Sequence, residues 1–306
     1  MNVKRYVLYH GNCPDGCGSA MAAWMKFGDE AEYVPVSYGK ELPQMLIGSG
    51  TEVYILDFSY PTHVVKSLRS SHSRLVVLDH HHTAKNELGP LLVDNSQEPY
   101  IIRFDMEKSG AVLAWEYFHP DKPVPLFVLY LQDRDLWRFD LAQSREVSAA
   151  VGSYPFDYKV YAAWTEEDQE TIEGLALEGV ACLRLKRQQV DNMARHQRNA
   201  LLNAQDGRVV FEPPVQDGSA AHFGEVGANL WRCPVANATV FFSEVGERML
   251  EMNPSAPFSA YFSDRGDGRR QWGLRSKPDF DCSVVAKAFG GGGHKQAAGF
   301  VQDVKT

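Results

Sequence analysis

Short apolar runs alternate with helical segments through the first half of the chain. Runs typical of buried strands cover residues 6–9, 32–36, 52–56, 74–78 and 91–93. Helical patterns cover residues 19–27, 109–118 and 125–136, with Ser109 as the cap of the second. A further helical segment starts near Pro61 and has Val64, Val65 and Leu68 on its inner face. This alternation predicts an α/β domain with a mostly parallel sheet and flanking helices.

The second half of the chain has a different pattern. Residues 165–203 are rich in charge, carry apolar residues at helical spacing and start with an acidic cluster, which predicts one long helix. After Asp206-Gly207, strand-like runs at residues 209–211, 239–242, 259–262 and 271–274 are separated by proline and glycine turns. We therefore expect an N-terminal domain over residues 1–160, a helical connector over residues 161–204 and a smaller α+β C-terminal domain over residues 205–306.

The charge balance restricts the kind of partner. The formal net charge of -8 disfavours binding of long duplex nucleic acid through a broad basic face. A short anionic substrate in a local positive pocket fits better, especially where metal ions supply the positive charge.

The cysteine pattern and the hydropathy indicate the compartment. Five cysteines without a C-x-x-C pair favour neither a disulfide framework nor a structural zinc site, so a reducing cytoplasm fits best. The sequence has no export signal and no apolar run long enough for a membrane span, so we expect no membrane partner. It gives no indication of the oligomeric state.

Acidic and imidazole side chains gather at the ends of predicted elements. They lie at four places: His10 and Asp15 in the small-residue loop after the first strand, Asp57 after the third, Asp79-His80-His81-His82 after the fourth, and Asp133-Arg134-Asp135 within an apolar segment. Each cluster has an ordinary alternative explanation. The loop suits a turn, Asp57 a helix cap, the histidines an exposed loop, and Asp135 an ion pair with Arg134 or Arg138.

Taken together, the four clusters indicate a shared metal site, because α/β folds place their chemistry at the carboxyl edge of the sheet. Carboxylate and imidazole ligands favour manganese or magnesium over structural zinc. Two ions about 4 Å apart would activate a bridging water and neutralise the leaving oxygens of a phosphoester. A Ser-His-Asp hydrolase is disfavoured because the chain has no G-x-S-x-G motif.

A glycine-histidine loop lies near the C-terminus, where Phe289 is followed by four glycines, His294 and Lys295. Consecutive glycines can expose a row of backbone N–H groups that forms an anion-binding nest. A flexible linker is the alternative, but little sequence follows for it to connect. The loop therefore predicts a phosphate cradle.

With these five motifs in this order, the chain resembles the DHH phosphoesterase family, whose members include RecJ-like and nanoRNase-like enzymes with a DHH-associated C-terminal domain. The similarity covers nearly the whole chain. It depends mainly on Asp79-His80-His81 and on the glycine-histidine loop. The resemblance implies a phosphodiesterase that usually depends on Mn²⁺, with one or two ions and Mg²⁺ as a possible substitute, and an active site in the cleft between the domains.

The resemblance also implies roles for individual residues. Asp57 would bridge two metals, and it forms the catalytic pair with His81, which would contact the scissile phosphate. The remaining implied metal ligands are Asp15, His80 and Asp133 for one ion and His10 for the other. The implied substrate-binding residues are Arg275, Ser276, Gly292, Gly293 and His294.

The first motif departs from the family pattern. Family members commonly carry two aspartates there, whereas this chain has Cys13 and Pro14 ahead of Asp15. Three outcomes stay open: Cys13 binds the metal and favours a softer ion, a water or another carboxylate substitutes, or one metal binds weakly.

The expected function is hydrolysis, by metal-activated water, of phosphodiester bonds in short oligonucleotides or small nucleotides. One alternative is an exopolyphosphatase or pyrophosphatase-like phosphohydrolase. Another is a catalytically degenerate nucleotide-binding sensor, which the incomplete first motif suggests. Trp231, Trp272 and Phe280 are candidates for base stacking, with a place in the buried core as the alternative.

Overall fold

The computed structural model describes residues 4–36, 40–46, 51–92, 96–166, 168–213 and 222–303. The chain divides into two compact units, Met1–Leu183 and Arg184–Thr306. Each unit is built on a β-sheet with helices packed against it. No helix within the described ranges combines the length and the apolar character that a membrane span requires.

The first unit is an α/β sandwich. Its strands are β1 (Arg5–His10), β2 (Ala31–Val36), β3 (Glu52–Leu56), β4 (Arg74–Asp79), β5 (Ser96–Gln97) and β6 (Tyr100–Phe104). Its helices are α1 (Pro14–Phe27), α2 (Thr62–Ser71), α3 (His82–Leu92), α4 (Gly110–Phe118), α5 (Leu126–Asp135), α6 (Ser144–Val151) and α7 (Tyr158–Trp164), with short 3-10 turns at Gly28–Glu30 and Gln44–Leu46. The helix α8 (Asp168–Arg195) crosses the boundary between the two units.

The sheet of the first unit has the strand order β2-β1-β3-β4-β6-β5, and only β5 runs antiparallel to its neighbour. The register pairs Tyr9 with Leu56 and Leu56 with Leu78. The carboxyl ends of β1, β3 and β4 therefore lie side by side. This edge of the sheet holds His10, Asp57 and Asp79.

Helices cover both faces of this sheet, which explains why its strands read as continuous apolar runs. In β3, Tyr54 and Leu56 face a core formed with α1 and α4 to α8. The alternate residues Val53 and Ile55 face a second core formed with α2 and α3. The predicted α/β class with a mostly parallel sheet is confirmed.

One predicted strand of this unit is wrong. Leu91 and Leu92 end helix α3, and Val93 lies outside the described residues. Leu88 and Leu91 are both buried three residues apart, so the apolar run belongs to a helix face; short apolar runs do not distinguish the two structures. On the side away from β3, the neighbour of β4 is β6, a strand that the sequence pattern did not predict.

The second unit is built on a mostly antiparallel sheet. Its strands are β7 (Arg198–Asn203), β8 (Arg208–Phe211), β9 (Gly224–Gly227), β10 (Leu230–Asn237), β11 (Phe258–Asp264), β12 (Arg269–Ser276), β13 (Gly292–His294) and β14 (Ala297–Asp303), and its helices are α9 (Phe242–Met252) and α10 (Cys282–Ala288). The order is β13-β14-β12-β11-β10-β7-β8, with β9 beside β10, and only the β10–β11 pair is parallel. This confirms the predicted smaller α+β architecture.

Two boundaries in the second half differ from the sequence prediction. The long helix ends at Arg195, and the alternating burial of Ala200 and Leu202 belongs to β7. The predicted strand at 239–242 is instead the turn into α9, where Phe241 has a φ of 53°. Trp231 and Trp272 are buried in the core between the sheet and α10, and Phe280 stacks on Phe258 there.

Candidate metal centre

Asp57 is at the centre of the polar cluster on the carboxyl edge of the first sheet. It follows β3 directly, and its backbone N–H donates to the carbonyl of Leu78 on β4. Its φ of 63° lies in the left-handed region, which costs a non-glycine residue on the order of 1–3 kcal/mol and is found most often at functional sites. The side chain is 1% exposed.

The two carboxylate oxygens of Asp57 face different imidazoles. Oδ1 lies 3.1 Å from Nε2 of His80, and Oδ2 lies 3.4 Å from Nδ1 of His10. Helix α4 approaches this carboxylate closely, because a Cβ on Gly110 would lie 2.5 Å from the Cβ of Asp57. Only glycine fits at that position.

Asp15 joins the cluster from the first turn of α1. Its carboxylate accepts hydrogen bonds from the backbone N–H groups of Gly110 (2.6 Å) and Ala111 (3.1 Å), at the N-terminus of α4. These amides have no partner inside their own helix, so a carboxylate there is stabilised. Oδ2 of Asp15 also lies 3.8 Å from Nε2 of His80, which places Asp15 in the cluster.

The structure brings Asp135 into the cluster in the position expected for Asp133. Oδ2 of Asp135 lies 3.4 Å from Nε2 of His80. The carboxylate of Asp133 instead accepts hydrogen bonds from the backbone N–H groups of Asp140 (2.9 Å) and Leu141 (3.2 Å). Asp133 therefore holds the turn after α5, and Asp135 is the acid of this pair whose carboxylate lies in the cluster.

Among the described residues of the first unit, the donor atoms form two groups, each compact enough to surround one cation. The first consists of His10, Cys13 and Asp57, and the second of Asp15, His80 and Asp135, with the donor atoms of each group within 4.8 Å of one another. Asp57 connects the groups through its contact with His80. Of the sequence-predicted metal ligands, His10, Asp15, Asp57 and His80 come together.

In the second group, burial and neighbouring charges shift the pKa values of Asp15 and His80. Burial raises the pKa of Asp15 well above its usual range, and the charges of Asp57 and Asp135 raise it further. Burial alone would lower the pKa of His80, but the hydrogen bond to Asp57 and the surrounding carboxylates outweigh it and raise that pKa to about 10. The imidazole of His80 thus lies among the carboxyl groups of Asp15, Asp57 and Asp135, a set of oxygen and nitrogen donors that suits a divalent cation.

The pKa of Asp57 is shifted in the opposite direction from that of Asp15. Burial acts to raise it, but the imidazoles of His10 and His80 outweigh this effect and lower it below its usual range. Among the described residues, none donates a hydrogen bond to Oδ2 of Asp57, although this oxygen is buried. An ionised, buried and incompletely satisfied carboxylate between two imidazoles fits a ligand of divalent metal.

His81 is held by a hydrogen-bonded chain. Its Nδ1 lies 2.7 Å from Oδ1 of Asp79, which also accepts the backbone N–H groups of His80 and His81. The other oxygen of Asp79 accepts a 2.6 Å hydrogen bond from Ser59. Burial acts to lower the pKa of His81, but Asp79 outweighs it and the pKa is raised. The ring is thereby fixed in orientation and favoured as a cation.

Two of the predicted substrate residues of the second unit, Arg275 and His294, lie in one row of its sheet. Ala297 on β14 pairs with Arg275 on β12 on one side and with His294 on β13 on the other. Directly paired residues project to the same face, so Arg275 and His294 share a face. Arg275 donates a hydrogen bond to Ser243 at the start of α9. Ser276 donates to the carbonyl of Phe280 at 2.7 Å, which gives its hydroxyl a structural contact.

The glycine run differs from the predicted row of exposed amides. The N–H groups of Gly290 and Gly291 donate to carbonyls at the end of α10, and Gly292 and Gly293 form the strand β13. A Cβ on Gly291 would lie 2.0 Å from the carbonyl oxygen of Gly299. Close backbone packing explains the glycine at 291, and a φ of 78° explains the glycine at 290. The N–H groups of these two residues are used within the chain, so the predicted row of exposed amides does not extend to them.

Sequence reasoning missed three parts of the site. Asp135 belongs to the fourth sequence cluster without a metal role of its own, and Asp79 and Ser59 have no assigned role. The spacing of Asp133 and Asp135 contained a usable signal, since helical residues two apart point in nearly opposite directions and only one of them can face the cluster. No sequence signal connects Ser59 with Asp79, which lies 20 positions away. His82 starts α3 and is exposed, as expected for a residue without a role in the site.

Comparisons with known proteins give one relative at the level of sequence. No protein-family profile matches the chain. It is 30% identical over 308 residues to an uncharacterized protein of Acanthamoeba polyphaga mimivirus, with 96% of this chain and 66% of the viral protein covered. The chain thus spans slightly less than two thirds of that relative.

Two solved structures with similarity to this chain are RecJ and an exopolyphosphatase-related protein. RecJ from Thermus thermophilus, in complex with Mn²⁺, has a TM-score of 0.48 and 15% identity, with 98% of this chain and 49% of RecJ covered. An exopolyphosphatase-related protein from Bacteroides fragilis has a TM-score of 0.44 and 13% identity, with 100% and 88% covered. At these identities the similarities assign neither a substrate nor a metal to this chain.

Proposed function

We propose that this protein is a metal-dependent phosphohydrolase of the DHH phosphoesterase type, which cleaves phosphodiester bonds in short oligonucleotides or small nucleotides and uses Mn²⁺. The observation that carries the proposal is the position of Asp57. One carboxylate oxygen faces His10 and the other faces His80, so that Asp57 connects two compact donor groups. A carboxylate shared by two ion sites suits paired metals, which stabilise the attacking and leaving oxygens of a phosphoester.

Residues of the first unit would hold two metal ions. Asp57 would bridge the ions, with His10 on one side and Asp15, His80 and Asp135 on the other. Bound divalent ions would supply a nucleophilic water at neutral pH and neutralise charge on the phosphoryl oxygens. The buried carboxylates, held by the N-terminus of α4 and by the sheet edge, would keep the donor atoms in place without a large rearrangement.

His81 is proposed to contact the scissile phosphate. Its raised pKa favours the imidazolium, which donates hydrogen bonds from both ring nitrogens. Asp79 accepts at Nδ1, so Nε2 is the nitrogen assigned to the phosphate. In the transition state, this cation would stabilise the charge that develops on the phosphoryl oxygens.

Residues of the second unit are proposed to bind a phosphate group. Arg275 and His294 share one face of the sheet and offer cationic and imidazole donors that suit a second phosphate. The net charge of -8 supports a short substrate over a long nucleic acid, because few phosphates can be neutralised. Short RNA, only a few nucleotides long, is therefore the substrate to test first.

The test is turnover by the purified full chain with Mn²⁺. Release of mononucleotides from short RNA is measured for the wild type, for Asp57→Asn and for the control His82→Gln, whose side chain is exposed at the start of α3. We expect Asp57→Asn to lose at least about 10³-fold in rate, equivalent to roughly 4 kcal/mol of transition-state stabilisation, and the control to retain wild-type activity.

The substrate panel also includes short DNA, cyclic dinucleotides and polyphosphate. Turnover of polyphosphate alone would replace the nucleotide assignment with a polyphosphatase. Binding of nucleotide without turnover of any substrate, with Mn²⁺, Mg²⁺, Co²⁺ or Zn²⁺ present, would overturn the hydrolase proposal in favour of a sensor.

A further inference from the structure

The first donor group contains a thiol. Donor atoms of His10, Cys13 and Asp57 lie within 4.8 Å of one another. We propose that Cys13 binds the metal as a thiolate and that this site selects a thiophilic divalent ion, of the Zn²⁺ or Co²⁺ class, over Mn²⁺. The inference rests on the proposed function in that it concerns one of its two ion sites.

The backbone presents Cys13 at a defined point. Gly11 donates its N–H to Val36 on β2, and Cys13 precedes α1 with extended φ and ψ angles of −134° and 133°. Cys13 is thus the N-cap residue of α1, with Pro14 in the first helical position, and its side chain makes no capping hydrogen bond. Cysteine binds a metal as the thiolate, and a bound cation favours that form.

The other two donors of the site converge on the same point. Oδ2 of Asp57 is buried, lies 3.4 Å from Nδ1 of His10 and accepts no hydrogen bond from any residue in the part of the chain that the structure describes. A buried carboxylate oxygen without a hydrogen-bond donor carries an energetic penalty, which a bound cation would relieve. This oxygen is an observation independent of the cysteine.

A packing role does not explain Cys13. Cys17, Cys233 and Cys282 are fully buried among apolar side chains in the cores of their units, as expected for cysteines that act as small hydrophobic residues. Cys13 is partly exposed and faces polar donors. Its surroundings correspond to those of a ligand.

The donor chemistry sets the preference among metals. Thiolate is a soft ligand, and affinity for Zn²⁺ or Co²⁺ exceeds that for Mn²⁺ at sites with nitrogen and sulfur donors. One thiolate, one imidazole and one carboxylate are three protein ligands, which is the number in catalytic zinc sites that keep a position open for water or substrate. The Asp15, His80 and Asp135 group has only oxygen and nitrogen donors, so the two sites would differ in their preferred ion.

The experiment uses Co²⁺ as an optical probe of the metal-stripped full chain. A thiolate ligand produces a sulfur-to-cobalt charge-transfer band in the near ultraviolet, which carboxylates and imidazoles do not produce. We expect the band in the wild type and in the control Cys182→Ser, which removes a free and comparably exposed cysteine on α8. We expect the band to be absent in Cys13→Ser and in Cys13→Asp.

Affinity provides the second readout. Cys13→Ser should weaken binding of one Zn²⁺ equivalent by at least about 100-fold, since even removal of outer-shell partners costs roughly 10- to 100-fold. Cys13→Asp should restore binding with a preference shifted towards Mn²⁺. Should Cys13→Ser not fold, alkylation of Cys13 in the wild type, followed by peptide mass mapping, replaces it; Zn²⁺ should slow the reaction at Cys13 and leave Cys182 unaffected.

Each outcome decides the question. Co²⁺ binding without the band in the wild type, persistence of the band in Cys13→Ser, or unchanged alkylation of Cys13 with Zn²⁺ would overturn the thiolate site. Turnover tests the proposed hydrolase separately. The charge-transfer band without turnover would support the thiolate site and contradict the hydrolase. Turnover without the band would support the hydrolase and contradict the thiolate site.

Discussion

Asp133 and Asp135 lie two positions apart in α5 and face different surroundings. The carboxylate of Asp133 accepts the backbone N–H groups of Asp140 and Leu141, while that of Asp135 lies 3.4 Å from Nε2 of His80. The helical rotation of about 100° per residue separates the two side chains by roughly 200°. One acid therefore stabilises the turn after α5 and the other lies in the candidate metal centre.

Substitutions at these two positions should affect different properties, metal affinity at Asp135 and stability at Asp133. Asp135→Asn is expected to weaken Mn²⁺ binding by roughly 10- to 100-fold with little loss of stability. Asp133→Ala is expected to lower the free energy of unfolding by about 1–3 kcal/mol, because two backbone amides lose their acceptor. Isothermal calorimetry and urea unfolding of the metal-free protein measure the two effects. Unchanged Mn²⁺ affinity in Asp135→Asn would remove Asp135 from the site.

Asp79 is expected to act through His81. Asp79→Asn weakens the hydrogen bond at Nδ1, and loss of a charged hydrogen bond of about 1.5–3 kcal/mol corresponds to roughly 10- to 100-fold in the rate of phosphoester hydrolysis. Ser59→Ala removes only the bond to the other oxygen and should have a smaller effect. Nitrogen-15 chemical shifts of the His81 ring, followed against pH, should report a lower pKa of the imidazolium in Asp79→Asn. Shifts identical to those of the wild type would contradict this role.

The glycine hairpin should tolerate no side chain at position 291. In Gly291→Ala the new Cβ would meet the carbonyl oxygen of Gly299 at 2.0 Å, and overpacking against backbone typically costs about 1–3 kcal/mol or more. Gly174→Ala is the matched control, since its position in α8 has nothing within 4 Å and alanine is the better helix former by about 1 kcal/mol. Thermal unfolding should show a lower midpoint for the first variant and an equal or higher one for the second.

His119 should make the stability depend on pH on the acid side. Its Nε2 lies 2.9 Å from the carbonyl oxygen of Ala22, and burial lowers the pKa of the ring below its usual value. As pH falls through about 6.5, the unfolded chain binds a proton that the folded protein resists, so the free energy of unfolding decreases. Urea unfolding of His119→Gln between about pH 7 and about pH 5, the histidine range, should show a weaker decrease than that of His82→Gln. Equal slopes would exclude this contribution.

Much of the fold was accessible from the sequence. Parallel strands buried on both faces appear as uninterrupted apolar runs, so β1, β3 and β4 and the polar residues after them could be recognised. His10, Asp57 and His80 then had to approach one another, because neighbouring parallel strands end at one edge of their sheet. Their convergence follows from local pattern and from a general rule of sheet geometry.

Tertiary packing decided the remainder. The choice of Asp135 over Asp133 depends on which face of α5 meets the sheet, and the link from Ser59 through Asp79 to His81 depends on two strand ends lying side by side. The glycine at 291 is determined by the approach of β14, whose backbone leaves no room for a Cβ at that position. Side-chain direction and backbone clearance arise from contacts between residues distant in the chain, and a local pattern carries no information about them.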